Sequence, residues 1–196
     1  MSTATETTRV QRRVRLEQDE NPESPREWDN LGHMVCWHKR YTLGDEQPKQ
    51  DPQEWFAQFQ EDNPGALTLP LYLMDHSGIS MRTNSTGFQA CDPQRWDWGQ
   101  VGWIVMSRAQ IVKEYGDDGT DGARACLAQE VETYDQFLQG DVWVFICEEG
   151  AICSHGDTHW EHVDSCGGFY GRDVRTNGMM EHMPSKLWKD LLLQEG

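Results

Sequence analysis

The sequence predicts an α+β domain, with a mixed, mainly antiparallel sheet that carries helices mostly on one face. Three observations lead to this fold class. Strand-type alternation dominates residues 67–106, and helical segments with recognisable start and stop signals lie before and after that stretch. The connections between the predicted strands are short, which favours antiparallel pairing.

The clearest strand pattern is a hairpin within residues 67–83. Leucines occupy every second position from 69 to 73, which is the period of a strand. The turn formers of residues 75–78 (DHSG) interrupt the pattern, and alternation then resumes. The sequence therefore predicts two antiparallel strands whose loop presents Asp75 and His76.

A third strand is predicted over residues 101–106, where both faces are apolar. Such a strand belongs in the middle of a sheet, with a helix covering one side. Ser107 is a suitable N-cap for the next helix, which ends at Gly116. Four residues of these strands are expected to be buried: Leu71, Leu73, Val101 and Trp103.

The N-terminal region begins with a polar segment. Residues 1–12 are expected to form a disordered tail, and residues 13–196 a single domain. Val14 and Leu16 alternate with charged residues, as in the edge strand of a sheet.

A second strand and a helix are predicted before the hairpin. If residues 31–45 form a strand, Cys36 and His38 project from the same face. Asp51 followed by proline is typical of a helix start, and the Asn-Pro-Gly sequence of residues 63–65 ends the helix. The expected buried stripe of this helix is Trp55, Phe56 and Phe59.

The C-terminal half predicts another helix, a hairpin and a terminal helix. Asp121 is expected to cap a helix over residues 122–138, with Ala125, Leu127, Ala128, Val131, Tyr134 and Leu138 buried. Residues 141–149 and 161–171 are expected to pair as strands around a longer loop, with Val142, Val144 and Ile146 on one face. The terminal helix is predicted over residues 184–193, with Leu187, Trp188, Leu191 and Leu192 facing inward.

The charge of the chain is strongly negative, at −16, and residues 51–196 carry twenty-four acidic and nine basic side chains. Direct binding of nucleic acid is disfavoured, because phosphates need a basic surface. The simpler interpretation of this charge is that it keeps the protein soluble. The alternative is that the negative surface competes with nucleic acid for the basic cleft of a partner protein. No apolar run is long enough to span a membrane, and no apolar signal segment opens the chain, so a cytoplasmic location is expected.

The candidate catalytic residues are Cys36, His38, Asp75 and His76. If their strands are neighbours, a thiol, two imidazoles and a carboxylate converge, as a nucleophile with its base or as a metal site. A turn aspartate that bonds its own backbone is the simpler interpretation. The balance favours a protein without catalytic activity.

The candidate partner-binding residues combine aromatic and acidic side chains. Trp96 and Trp98 flank Asp97 in a predicted loop, where aromatic residues can anchor an interface. A second acidic loop contains Asp117, Asp118 and Asp121.

A zinc site is the third hypothesis. Six residues of metal-binding type fall within twenty positions: Cys147, Cys153, His155, His159, His162 and Cys166. Zinc needs four such ligands in a tetrahedron, but the Cys-x-x-Cys pair of familiar zinc modules is absent. Core cysteines and exposed loop histidines explain the pattern without a metal, so no cofactor is expected, with zinc as the alternative.

Five segments carry a resemblance to a known family: EWDNLGHMVCWHKRYTLGD, LPLYLMDHSGISM, WGQVGWIVM, EVETYDQFLQGDVW and EHVDSCGGFYG. Together they resemble a family of small proteins from bacteriophage and plasmid genomes, most of whose members have no assigned function. The resemblance covers residues 14–171. Residues 150–160 depart from the family pattern, which weakens the zinc hypothesis because three of its six ligands lie there.

The resemblance implies a phage or plasmid setting. Small acidic phage proteins without enzyme motifs are often counter-defence factors. The leading hypothesis is a cytoplasmic inhibitor that binds a host nucleic-acid-targeting defence protein, of the CRISPR or restriction machinery, in competition with nucleic acid. One alternative is a small metal-dependent or Cys/His enzyme that uses Cys36, His38, Asp75 and His76. The other alternative is a non-catalytic phage accessory protein.

Overall fold

A computed structural model of the chain describes residues 10–152, 157–183 and 187. Its strands are β1 (Val10–Gln18), β2 (His33–Cys36), β3 (Leu67–Asp75), β4 (Ile79–Arg82), β5 (Trp98–Met106), β6 (Val142–Ile152) and β7 (Thr158–Tyr170). Its helices are α1 (Pro52–Asp62), α2 (Thr86–Cys91), α3 (Arg108–Tyr115), α4 (Thr120–Leu138) and α5 (Met179–His182). This combination confirms the predicted α+β class.

The chain divides into two compact units, each with its own antiparallel sheet. Unit 1 consists of Met1–Pro22 and Gly140–Gly196, and unit 2 of Glu23–Gln139. The prediction of one domain over residues 13–196 stays a prediction, because two compact units can still unfold as one cooperative domain. Among the described residues, no helix is long and apolar enough to cross a bilayer.

The sheet of unit 2 has the order β2-β5-β3-β4, and all of its strand pairs are antiparallel. β3 and β4 form the predicted hairpin around residues 75–78, and β5 lies beside β3. The prediction that these three strands are neighbours in one sheet is therefore confirmed. β5 also occupies the predicted place in the middle of the sheet, between β2 and β3.

The core of unit 2 lies between the sheet and α4. α4 packs Ala123, Leu127, Val131 and Tyr134 against the leucines of β3 and against Ile104 and Met106 of β5. The buried helix residues recur three or four positions apart, which is the spacing of one helix face. Ala125 falls outside that spacing and is exposed, so its predicted burial is wrong.

The opposite face of β5 carries an aromatic cluster. Trp103 was expected in the core but is only half-buried, as is Val101, because the core-facing residues of β5 are those of the other parity. The Trp103 ring stacks on Phe56 of α1 with centroids 4.4 Å apart, and meets Trp37 edge-on at 5.8 Å. α1 begins at the Asp51 cap as predicted, but it has no fully buried residue, and its predicted buried stripe of Trp55, Phe56 and Phe59 is only half-buried.

The sheet of unit 1 has the order β1-β6-β7, which places β1 at the edge as predicted. β1 begins at Val10, where it pairs with β6, so the predicted tail over residues 1–12 extends too far. The register of β6 against β7 shifts at 143–145. The predicted common face of Val142, Val144 and Ile146 is interrupted there: the buried residues of the strand are Val142, Phe145, Cys147 and Gly150, whereas Val144 and Ile146 are only half-buried.

The hairpin of β6 and β7 is longer than predicted. Strand pairing continues to Ile152 and Thr158, so residues 150–152 and 158–160 of the predicted loop are strand. Residues 153–156 lie outside the described residues, as does the predicted terminal helix apart from Leu187. Leu187 is buried in the core of unit 1 with Val14 and Phe169.

Candidate functional site

A cavity of about 830 Å³ opens at the end of the unit 2 sheet where β3 finishes and β5 begins. Its wall contains candidates that the sequence analysis placed in two separate groups: Cys36, His38 and Asp75 from the catalytic group, and Trp96, Asp97 and Trp98 from the partner-binding group. The fold therefore brings the two groups into one site. We call this site the Asp75–Asp97 cavity.

Cys36 is the last residue of β2, and its side chain is buried in the core of unit 2. Burial, together with the negative charge of Asp45, raises the pKa of the Cys36 thiol to about 12. At pH 7 only about one thiol in 10⁵ with such a pKa is ionised, and the thiolate is the nucleophilic form. The environment of Cys36 is thus that of a core thiol.

His38 lies beyond the end of β2, so the predicted strand over residues 31–45 is wrong: only His33–Cys36 is strand. The chain turns there, and Nδ1 of His38 accepts the N–H groups of Arg40 (3.3 Å) and Tyr41 (3.2 Å). Burial and the nearby charge of Arg40 lower the pKa of His38. Because Nδ1 accepts two backbone N–H groups, the neutral ring carries its proton on Nε2.

Asp75 ends β3 and faces two partners from the segment after β2. The Arg40 guanidinium forms an ion pair with its Oδ2, and the Tyr41 hydroxyl donates to its Oδ1 at 3.3 Å. The Asp75 side chain is 20% exposed. It therefore binds side chains from a neighbouring segment, in place of the local turn that the simpler interpretation expects.

His76 does not line the cavity, but it contacts a residue that does: its Nδ1 lies 2.7 Å from the Oδ2 of Asp97. An imidazole oriented by a carboxylate is half of a catalytic triad. In the part of the chain that the structure describes, no hydroxyl or thiol is hydrogen-bonded to the other ring nitrogen of His76. The contact therefore orients the Asp97 carboxylate and leaves the triad without its nucleophile.

Trp96 and Trp98 have opposite environments, although they were predicted to act together. Trp98 is 9% exposed, donates its indole N–H to the Asp92 carbonyl at 2.8 Å, and packs against Tyr72. Trp96 is 83% exposed. Arg95 has a φ of 60°, in the left-handed region, immediately before Trp96. Trp98 is therefore a packing residue at the start of β5, and Trp96 is the surface aromatic residue.

The predicted acidic loop lies outside the cavity, because none of Asp117, Asp118 and Asp121 lines it. All three are exposed, and the Asp117 side chain is 88% exposed. Asp121 was expected to cap α4, but the N-cap is Gly119 and Asp121 lies in the first turn. A carboxylate there still favours the helix, since the first turn is the positive end of the helix dipole.

The proposed zinc ligands do not converge where the structure describes them. Cys147 is buried in the core of unit 1, and His162 is 3.1 Å from the Ser165 hydroxyl. Within residues 10–152 and 157–183, no three potential ligands are placed to hold a metal ion. Cys153 and His155 lie outside the described residues, so the zinc hypothesis stays a prediction.

Several lining residues were not predicted from the sequence: Trp37, Lys39, Arg40 and Gln47. Arg40 is the most informative, because its ion pair with Asp75 joins positions 35 residues apart. The KR pair of residues 39 and 40 was the only available signal, and a charge pair in a loop is usually just solvated.

Comparisons with known proteins identify no relative. No family model matches the chain, and neither a curated protein nor a solved structure does.

Proposed function

We propose that this chain is an acidic inhibitor that acts in the cytoplasm of a host cell. It binds a nucleic-acid-targeting defence protein, of the CRISPR or restriction type, and competes with nucleic acid for its basic cleft. The phage or plasmid setting comes from the resemblance of residues 14–171. The binding function is supported by the Asp75–Asp97 cavity and by the charge of unit 2.

The observation that carries the proposal is the position of Trp96. An indole that is 83% exposed lines a cavity whose wall also carries the carboxylates of Asp75 and Asp97. Exposed aromatic residues beside a concave surface are typical anchors of protein interfaces, where a few side chains supply most of the affinity. Trp96 is therefore the first residue expected to control the lifetime of the complex.

The charge of unit 2 supports the choice of a basic partner. Residues 23–139 contain nineteen acidic and nine basic side chains. Such an excess attracts a basic cleft from solution and raises the association rate, more than it raises affinity. The exposed loop of Asp117, Asp118 and Asp121 contributes to this field without lining the cavity.

The Cys/His enzyme remains the alternative, since Cys36, His38 and Asp75 line one cavity. The chemistry of these residues gives it less support than the binding function has. The Cys36 thiol has a pKa of about 12, and the neutral His38 has its Nδ1 occupied by backbone donors. An enzyme of this kind would need a lowered thiol pKa and an imidazole nitrogen free to accept the proton.

An order-of-addition assay tests the proposal. The purified chain is added to a panel of restriction and RNA-guided nucleases, either before or after the nucleic acid that each enzyme binds. Inhibition is expected when the chain is added first, and it should weaken as salt rises, because exposed charges are screened beyond about 8 Å near physiological ionic strength. Trp96→Ala should dissociate faster from the inhibited enzyme.

Trp28→Ala is the matched control, since Trp28 is 44% exposed and does not line the cavity. This variant should inhibit as well as the parent. If the chain binds equally well to an enzyme already loaded with nucleic acid, and salt does not change the rate, competition with nucleic acid is refuted even where inhibition is real.

A further inference from the structure

Asp75 and Asp97 are cross-strand neighbours that both line the cavity. The N–H of Asp75 donates to the carbonyl of Asp97 at 2.7 Å, directly after the paired residues Met74 and Trp98. Residues opposite each other in an antiparallel pair have Cβ atoms about 5 Å apart, and like charges there repel. This wall of the cavity therefore favours a cation.

One cation already lies there. The guanidinium of Arg40 pairs with the Asp75 carboxylate, and it also lies over the Tyr41 ring, 5.5 Å from the ring centroid. A carboxylate and an aromatic face thus hold one guanidinium from the chain itself. Arg40 shows which kind of group this wall accepts.

Asp97 follows an aromatic residue, but no described guanidinium pairs with its carboxylate, since the guanidinium of Arg95 lies over the Trp98 ring, 4.6 Å from the ring centroid. The Oδ2 of Asp97 contacts His76, whereas no described residue donates to its Oδ1. The neighbouring Trp96 is 83% exposed, and its ring contacts no other aromatic ring among the residues described. A partly exposed carboxylate and an exposed indole, from consecutive residues, therefore line the same cavity.

We infer that the cavity binds a single arginine side chain of a protein partner, which stacks on Trp96 and donates to the Asp97 carboxylate. This inference rests on the proposed function, because the arginine belongs to the basic cleft of that partner. The charged residues that line the cavity are two cations, Lys39 and Arg40, and two carboxylates, Asp75 and Asp97, so the cavity has no surplus of negative charge for several cations. The site therefore fits one arginine within a peptide segment, and not a continuous basic run.

Arginine fits this site better than lysine for a geometric reason. The guanidinium is planar, so it can stack on the indole and donate to a carboxylate in the same plane. An ammonium is a compact and strongly hydrated charge that loses more hydration on entering the cavity. The neutral analogue citrulline keeps the shape of arginine but lacks its charge, which separates charge from stacking.

The experiment uses the full chain and three short blocked peptides, Gly-X-Gly, in which X is arginine, lysine or citrulline. The indole N–H signal of Trp96 is followed by NMR during titration and is identified by its loss in Trp96→Phe. The arginine peptide should shift this signal. The lysine peptide should bind at least about threefold more weakly, and the citrulline peptide at least about tenfold more weakly.

Asp97→Asn is the decisive variant, because it removes the charge but keeps an oxygen for the His76 contact. It should bind the arginine peptide at least about fivefold more weakly than the parent does. Glu61→Gln, an equal charge change at an exposed residue of the same unit outside the cavity, should bind normally. The inference is overturned if citrulline binds as well as arginine, if Asp97→Asn binds normally, or if a neutral oligosaccharide or inorganic phosphate shifts the Trp96 signal and arginine does not.

The peptide titration and the nuclease assay can fail independently. If nucleases are inhibited but arginine peptides leave the Trp96 signal unchanged, the arginine site is wrong and the proposed function stands. If arginine peptides bind with the expected dependence on Asp97 but no nuclease is inhibited, the site stands and its assignment to a defence protein is wrong.

Discussion

Arg26 and Glu130 form a buried ion pair in unit 2, with 2.9 Å between Nη1 and Oε2 and side chains only 6% and 12% exposed. The other carboxylate oxygen of Glu130 accepts the N–H groups of Leu31 and Gly32, each at 3.0 Å. A second guanidinium nitrogen of Arg26 pairs with Asp45 at 2.6 Å. The pair therefore fastens the segment before β2 to α4.

Replacing Glu130 by alanine should destabilise unit 2 strongly. The change leaves the Arg26 charge with only one carboxylate partner and removes the acceptor of two backbone N–H groups. Breaking a buried pair from one side costs about 3–5 kcal/mol. Urea denaturation measures the loss. Glu114→Ala, which removes an exposed partner of Lys113 in the same unit, should leave the urea midpoint unchanged.

Trp103→Ala should also lower the free energy of unfolding, but by less than the loss of a core tryptophan. Removing a buried tryptophan costs about 3–5 kcal/mol, so the half-buried Trp103 should cost roughly 2–3 kcal/mol. Its ring holds α1 against the sheet through Phe56, at a centroid distance of 4.4 Å. Trp96→Ala in the same unit is the control and should unfold at the parental urea concentration. If the two variants are equally stable, Trp103 does not hold the cluster together.

The elements that were predicted correctly are those with local signals. The hairpin of β3 and β4 follows from alternation broken by four turn formers, and α3 follows from the Ser107 cap and the Gly116 stop. Each of these signals depends on a few neighbouring residues, so the element can be predicted without the tertiary structure.

The errors lie where packing between distant segments decides the outcome. Asp135 of α4 was not predicted to matter, yet it is buried and accepts the N–H of Met81 at 2.7 Å. Burying a carboxylate in a helix is unfavourable unless a distant donor supplies a hydrogen bond, and only the fold provides that donor. The cavity was missed as a unit for the same reason, because it joins Arg40, Asp75 and Asp97 from three segments.

Cys36 should be unreactive in the folded chain. Its thiol is buried, and its pKa is raised from 9.0 to about 12, so at pH 8 only about one molecule in 10⁴ carries the thiolate. Cys91 is an exposed free thiol and serves as the internal control. Alkylation at pH 8, mapped by mass spectrometry, should label Cys91 quickly and Cys36 only after unfolding. Rapid labelling of Cys36 in the folded protein would instead favour the enzyme alternative.

The raised pKa of Cys36 also predicts a loss of stability in alkali. The folded state favours the neutral thiol, whereas the unfolded chain ionises near the ordinary value of 9.0. The stabilising contribution is therefore complete below about pH 9 and declines as the pH rises toward about 12. Urea midpoints measured from pH 8 to pH 11 should fall less steeply for Cys36→Ala than for the parent, after each curve is normalised to its own value at pH 8.

Neutralising Asp117, Asp118 and Asp121 together should slow association with a basic partner and flatten its dependence on salt. These acids are exposed and outside the cavity, so they act through the field of unit 2 and not through contacts in the cavity. Charges of this kind mainly set the association rate, whereas buried anchors set the dissociation rate. The effect is checked by stopped-flow measurement of the association rate with a nuclease that the chain inhibits, at several salt concentrations.

The matched control for this triple change is the neutralisation of three exposed acids of unit 1, Asp157, Glu161 and Asp164. Both variants alter the net charge equally, so a general effect of net charge would slow both to the same degree. If the loop attracts the partner through its field, only the loop variant of unit 2 should associate more slowly. Its dissociation rate should equal that of the parent. If instead the loop variant dissociates faster with unchanged association, the loop contacts the partner directly, and its role as a source of long-range attraction is wrong.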